Sequence, residues 1–348
     1  MKALVTVPLA EDGLRKLREM VEVELEGQAK GGRVLSVDRL KEVLAGKEIV
    51  IVEFEPIVRE VIEAASLRII ACTRGGPQAN IDIPDATARG IPVLYAPGRN
   101  AVAVAELVFS LMIGVARHVA QAHHLLKTGH YLAPAGTSEG GERNVVWGVE
   151  EGSPYMVFKG PELCGRTLGI IGLGEVGERV AARARAFEMK IIVYDPYIPE
   201  EKILQAGARP VDLETLLKES DFVTVHCKVT PETRDLIGEK EIALMKPSAY
   251  LINTARGAIV DEKALAVALR EGRIAGAGLD VFKQEPLPSD SPLLTLDNVV
   301  LTPHIGGASW DVERHQTEIV VGDLARLLSG ERPRCCANPE VLESFRLG

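Results

Sequence analysis

No apolar run in this chain is long enough to span a bilayer, so no transmembrane helix is expected. The opening residues, Met1-Lys2-Ala3-Leu4-Val5-Thr6-Val7-Pro8, read as a short strand stopped by proline, not as a charged segment leading into a long apolar one. No secretory signal is therefore read, and the cytoplasm is the expected location. Positive charge is in deficit: 40 Lys and Arg stand against 49 Asp and Glu, a formal net charge of −9. That balance argues against a nucleic-acid partner, whose phosphates demand a basic face. The five cysteines have no regular spacing and read as reduced thiols. Cys335 and Cys336 are adjacent, but no nearby histidine or further cysteine completes a metal site, so no metal is expected. Aromatics are few at 4% beside 46% hydrophobic residues, the balance of a globular protein. No short-period repeat appears, which excludes solenoids and propellers.

What the chain does have is length and a glycine-spaced turn. Its 348 residues exceed one ordinary core and point to two domains. The stretch Thr167-Leu168-Gly169-Ile170-Ile171-Gly172-Leu173-Gly174-Glu175-Val176-Gly177 runs from an apolar strand through a turn into an alanine-rich helix. This pattern lays a dinucleotide pyrophosphate on a helix N-terminus. Gly172 serves the tight turn, Gly174 the approach of backbone to phosphate, and Gly177 the packing of helix on strand. The next apolar run, Lys190 to Tyr194, ends on Asp195, where a carboxylate accepts hydrogen bonds from ribose hydroxyls and favours NAD.

Short β-rich runs alternate with helical patterns almost throughout, which predicts an α/β fold of parallel sheets covered by helices. Strands are expected at 3–7, 48–52, 69–72 and 92–95, with helical patterns near 10–20, 36–45 and 57–65. Asn100 to Lys127 reads as one long helix, apolar on nearly every face through Val102, Val104, Leu107, Val108, Leu111, Met112 and Val115. From Ala133 to Pro154 the pattern collapses into Gly, Pro, Ser and Glu, a long functional loop or subunit arm with Trp147 as an anchor. Further strands are expected at 222–226, 249–253, 275–280 and 299–301.

Ligands of such sheets sit beyond the carboxyl ends of the strands. Three polar groups lie there: Arg256 in Asn253-Thr254-Ala255-Arg256-Gly257, Glu285 in Asp280-Val281-Phe282-Lys283-Gln284-Glu285-Pro286, and His304 in Thr302-Pro303-His304-Ile305-Gly306-Gly307. Each alone has a structural explanation, as a surface ion pair, a loop solubiliser or a satisfied polar residue. Together they supply what hydride transfer needs. Arginine grips a carboxylate bidentately, imidazole exchanges a hydroxyl proton near neutral pH, and glutamate fixes the imidazole tautomer.

With these motifs in view, the sequence resembles the D-specific 2-hydroxyacid dehydrogenase family, most of all its phosphoglycerate dehydrogenase branch. The likeness covers nearly the whole chain. It includes Cys72-Thr73-Arg74-Gly75-Gly76, Ala96-Pro97-Gly98-Arg99-Asn100 and Val104-Ala105-Glu106 as well as the motifs above. The resemblance implies two doubly wound parallel-sheet domains, a Rossmann NAD-binding domain (100–307) inserted into a flavodoxin-like substrate domain (1–99 and 308–348). A C-terminal helix over about Ser309 to Leu328 would return to the first domain, and the family implies a homodimer built on the long helix and the Ala133–Pro154 region. It implies His304 as acid/base, Glu285 as its partner and Arg256 as substrate anchor. The loop Arg74, Gly75 and Gly76 would bring backbone N–H groups to the substrate carboxylate, and Asp280 would bind the nicotinamide carboxamide. Glu175 and Val176 would offer backbone to the pyrophosphate. His226, Cys227, Thr254, Ala255, Gly306 and Gly307 would line the cofactor.

The expected activity is reversible NAD-dependent hydride transfer on a D-2-hydroxy acid, phosphoglycerate-like. The alternatives are a glyoxylate or hydroxypyruvate reductase, a sugar-acid dehydrogenase, or an NAD(H)-sensing interaction protein. Four departures bear on the family expectations. Pro77 follows Gly75-Gly76 where the phosphoglycerate branch keeps glycine, and Lys228 replaces a usual proline. The stretch before Arg166 is longer than the family's linker. With the chain ending at Gly348, no small regulatory domain and no serine feedback through one are expected.

Overall fold

Ile49-Val50-Ile51-Val52 is β-branched throughout and buried at every residue, as a strand covered on both faces requires. The computed structural model describes residues 1–132 and 151–347. It divides into two compact units, Met1–Asn100 with Ala308–Gly348, and Ala101–Gly307.

The first unit holds five parallel strands: β1 (Lys2–Val5), β2 (Glu22–Leu25), β3 (Ile49–Val52), β4 (Ile69–Cys72) and β5 (Val93–Tyr95). Their order, β2-β1-β3-β4-β5, is that of a flavodoxin-like doubly wound sheet. Alternate residues feed opposite faces. Ala3, Val5, Ile49, Ile51 and Ile69 pack with Leu17, Val320 and Leu324 from the helices Glu11–Met20 and Asp311–Leu328. Leu4, Val50, Val52 and Ile70 pack with Leu40, Val61, Ile62 and Ala86 from the helices Val37–Val43, Arg59–Ala64 and Ile83–Ala88. The edge strand β2 was not legible in advance. Its sequence, Glu-Val-Glu-Leu, places two weak strand formers in four residues and leaves both glutamates exposed.

The second unit holds seven parallel strands: β6 (Thr167–Ile171), β7 (Lys190–Tyr194), β8 (Arg209–Pro210), β9 (Phe222–Val225), β10 (Tyr250–Asn253), β11 (Gly276–Leu279) and β12 (Val299–Leu301). Their order is β12-β11-β10-β9-β6-β7-β8, a Rossmann arrangement whose switch point falls between β6 and β9. The register is even. Tyr194, Ile171, Val225, Asn253, Leu279 and Leu301 are successive partners across the sheet.

The single helix expected over Asn100–Lys127 is corrected. Two helices, Ala101–Ala116 and Val119–Lys127, meet at a bend of 66°, with His118 left-handed at φ 51°. The returning chain packs into this bend. Gly160 lies so close to the Ala116 carbonyl that a Cβ there would be 1.8 Å from the oxygen, where a continuing helix would bring its own N–H. The first helix is buried at nine positions, among them Val104, Val108, Leu111 and Met112, whereas the second has no buried residue. No single helix among the described residues is long and apolar enough to cross a membrane. Of the loop expected over Ala133–Pro154, residues 133–150, Trp147 included, lie outside the described residues. Pro154–Val157 forms a short helix.

Besides this apolar packing, the C-terminal helix Asp311–Leu328 meets the helix Glu11–Met20 at one very close approach. A Cβ on Gly13 would lie 2.0 Å from Thr317 Cγ2. Thr317 cannot swing away, because its hydroxyl donates to the Glu313 carbonyl at 2.6 Å and accepts from the Ala10 N–H at 2.9 Å. Gly13→Ala should therefore destabilise the protein by about 1–3 kcal/mol in urea unfolding, the overpacking cost exceeding a helix-propensity gain of about 0.5–1 kcal/mol. The double variant with Thr317→Ser, which lacks the methyl, should recover most of the loss. A neutral Gly13→Ala would refute this packing.

Candidate active site

The residue following each strand in the register row is Asp195, Gly172, His226, Thr254, Asp280 or Thr302, so parallel pairing alone sets these six side by side. Gly172 has φ 90°, and a Cβ there would meet the Cys227 nitrogen at 2.8 Å and the His226 carbonyl carbon at 3.1 Å. Only glycine closes this turn. A Cβ on Gly177 would lie 2.3 Å from the Gly172 oxygen, so the helix Glu175–Ala186 packs directly on the turn. The space beside Gly174 is open, and the helix start carries no side-chain cap. Its first amides, those of Glu175 and Val176, thus begin a helix with positive dipole and free room for an anion. Asp195 braces the same turn, accepting from the Leu173 N–H at 2.9 Å and the Tyr197 N–H at 3.0 Å.

Across the switch point, the His226 ring bonds Thr224 Oγ1 at 2.9 Å. Burial pushes its pKa down to about 3, so the ring is neutral. Burial likewise raises the half-buried Cys227 thiol. Lys228 is exposed, and its carbonyl accepts the Thr233 hydroxyl at 2.6 Å.

Beyond β10, Asn253 folds the following loop on itself. Its Oδ1 accepts from the Ala255 N–H at 3.0 Å and its Nδ2 donates to the Arg256 carbonyl at 2.9 Å. Thr254 is buried, and its hydroxyl has no partner among the described residues. Arg256 is exposed and, among the described residues, reaches only the Ala255 carbonyl, at 2.6 Å. A Cβ on Gly257 would lie 2.0 Å from the Phe282 carbonyl carbon, so this loop rests on the one that carries Glu285. Glu285 Oε1 accepts from the Phe282 N–H at 3.0 Å, and Oε2 meets His304 Nδ1 at 2.6 Å. Burial raises the Glu285 pKa, but the bonds from His304 and Phe282 and the nearby Arg256 charge outweigh it and hold the carboxyl below its ordinary value. An ionised carboxylate only accepts, so neutral His304 carries its proton on Nδ1 and leaves Nε2 as the basic nitrogen.

Asp280 is 1% exposed. Its carboxylate accepts from the Thr302 hydroxyl at 2.6 Å, the Ile305 N–H at 2.8 Å and the Gly306 N–H at 2.8 Å. The structure thus brings Arg256, Glu285 and His304 to the same strand ends as the glycine turn, with Gly306 and Gly307 closing the His304 loop. Arg74, Gly75 and Gly76 belong to the other unit, after β4. There the half-buried Arg74 guanidinium stacks 5.3 Å over the Phe54 ring. Sequence reasoning missed the parts of Asn253, Gly257 and Thr302. Asn253 and Thr302 stand at strand exits, a readable signal, whereas the contact at Gly257 depends on a loop 25 residues away.

A dinucleotide fits these residues. The open space at Gly174, the uncapped helix start and the orphaned Thr254 hydroxyl all call for a polar ligand along the strand ends. A seven-stranded Rossmann sheet with a glycine turn at its switch point suits a dinucleotide, with Arg256, Glu285 and His304 standing beyond the same strand ends. The family described as "D-isomer specific 2-hydroxyacid dehydrogenase, NAD binding domain" matches residues 109–306. The D-3-phosphoglycerate dehydrogenase of Methanocaldococcus jannaschii is 41% identical over 100% of this chain, which spans 61% of that protein. The glyoxylate reductase of Thermococcus litoralis is also 41% identical, over 99% of this chain and 98% of its own. A crystal structure of a Thermus thermophilus protein aligns with TM-score 0.74 and 35% identity, covering 97% of this chain and 100% of that one. The chain belongs to the D-isomer specific 2-hydroxyacid dehydrogenases, and its cofactor is NAD.

The lowered Glu285 pKa has a pH signature. Its contribution to stability is fully present above the ordinary carboxylate pKa and is lost as pH falls through the lowered folded value. Glu285→Gln should therefore melt below wild type at neutral pH, and the gap should close on acidification. A gap independent of pH would contradict the charged Glu285–His304 bond.

Proposed function

We propose that the protein reversibly transfers hydride between NAD(H) and a small D-2-hydroxy or 2-oxo acid, with Arg256, Glu285 and His304 as its catalytic residues. The 2.6 Å His304–Glu285 bond carries the reading. It fixes the Nδ1–H tautomer, so Nε2 takes the hydroxyl proton in oxidation and returns it in reduction. Glu285 stabilises the imidazolium that results. Arg256, free of any ion pair among the described residues, holds the substrate carboxylate and orients the reacting carbon. Bound NAD supplies the hydride acceptor.

The Gly172–Gly177 turn with the amides of Glu175 and Val176 holds the pyrophosphate, and Asp195 the ribose. His226, Cys227, Thr254, Ala255, Gly306 and Gly307 line the remainder. Asp280 Oδ2 accepts one bond where it has room for two, which leaves a lone pair for the carboxamide. Substrate recognition is assigned also to Arg74, Gly75 and Gly76. Arg74 has no carboxylate partner among the described residues, which favours a phosphorylated acid such as the relative's phosphoglycerate over plain glyoxylate. Dependence on NAD, an intracellular cofactor, supports a cytoplasmic location.

The protein should oxidise NADH with 3-phosphohydroxypyruvate at higher kcat/KM than with hydroxypyruvate or glyoxylate. Better turnover of the plain acids would make it a general 2-oxo acid reductase, and none with any would leave an NAD(H) sensor. His304→Ala should lower kcat about 1,000-fold with NADH affinity kept, and Arg256→Ala should raise KM about tenfold and also slow turnover. Wild-type kinetics in either would end its assignment.

A homodimer is part of this reading. Val119 and Leu126 are 51% and 50% exposed on the helix Val119–Lys127, and Tyr155 is 63% exposed on the helix Pro154–Val157. Such apolar exposure supports a subunit interface. Light scattering should give twice the chain mass, and Leu126→Glu should reduce it; a monomeric wild type would refute the dimer.

A further inference from the structure

His304 is left-handed, at φ 54°, a conformation that a side chain with a Cβ adopts only when its surroundings impose it. The bonds that impose it converge on one residue. The Thr302 hydroxyl and the Ile305 N–H both donate to Asp280 Oδ1, and the Gly306 N–H donates to Oδ2. The His304 N–H itself donates to the Asp280 carbonyl at 2.8 Å, and the Thr302 N–H to the Leu279 carbonyl at 2.9 Å. Donors on both sides of His304 are thus gathered on one buried carboxylate. A Cβ on Gly306 would lie 2.9 Å from Asp280 Oδ2, so the fit leaves no slack.

We infer that Asp280 and Thr302 are positioning residues, which hold His304 in the left-handed conformation that keeps its ring on Glu285. The inference rests on the proposed acid/base role of His304. It adds a second task to Asp280 and a first one to Thr302. The consequence is that the proton-transfer group is set before any ligand arrives, by bonds made within the chain. Asp280 also touches the proposed cofactor site, so Thr302 gives the cleaner test.

Thr302→Val keeps the shape and removes one donor, and Thr302→Ser restores it. With NADH and 3-phosphohydroxypyruvate, Thr302→Val should lower kcat about tenfold, the worth of one charge-assisted hydrogen bond. KM and the NADH dissociation constant should stay within about twofold, and Thr302→Ser should return kcat to near wild type. Wild-type kcat in Thr302→Val would overturn the inference, as would a loss matched by weaker NADH binding or a loss that serine does not repair. Amide hydrogen exchange on the ligand-free protein separates this from the activity itself. Ile305 and Gly306 should exchange faster in Thr302→Val than in wild type, whatever the substrate proves to be, and unchanged exchange would also overturn it. Should Thr302→Val fail to fold, Thr302→Ala gives the same readouts, with serine again the rescue.

Discussion

Parallel pairing in register is the constraint on which the second unit depends. Because Tyr194, Ile171, Val225, Asn253, Leu279 and Leu301 lie at one level, the chain leaves six strands along one line. A slip of one residue in any strand would turn its exit residue to the opposite face of the sheet. The buried faces that prevent such slips, with Ile171, Val225 and Leu279 packed on one side and Ile170, Phe222 and Ile252 on the other, therefore also place the chemistry.

Beyond that line the loops organise themselves with their own polar groups. Asn253 ties the Arg256 loop, Asp280 ties the His304 loop, and the Phe282 N–H anchors Glu285. Close approach does the rest: Gly257 seats one loop on another, and Gly177 seats the helix on the turn. These are bonds and contacts within the protein, so little ordering is left for the moment of reaction. Polar atoms left without partners among the described residues, such as the Thr254 hydroxyl and the Arg256 guanidinium's outer donors, are those a ligand would satisfy.

Much of this was legible as pattern. Apolar runs such as Ile49–Val52 and Phe222–Val225 announce strands buried on both faces, and the Gly172-Gly174-Gly177 spacing between a strand and an alanine-rich helix announces a phosphate turn. Arg256, Glu285 and His304 stand out in the sequence because each follows an apolar run that ends abruptly. What stayed hidden depends on contacts distant in sequence. At the bend by His118, Gly160 packs against Ala116, a contact that no periodicity within Asn100–Lys127 records. Thr302 reads as an ordinary threonine until pairing sets it beside Asp280. The strand Glu22–Leu25 carries two glutamates because it lies at an edge, and its edge position is a property of the sheet.

A crystal structure with NADH and an unreactive 2-oxo acid analogue tests the central claim most directly. The pyrophosphate should lie on the first turn of Glu175–Ala186, the adenosine ribose on Asp195, and the analogue with its carboxylate on Arg256 and its keto oxygen toward His304 Nε2. Dinucleotide bound away from the Gly172–Gly177 turn, or an analogue that meets neither Arg256 nor His304, would contradict it.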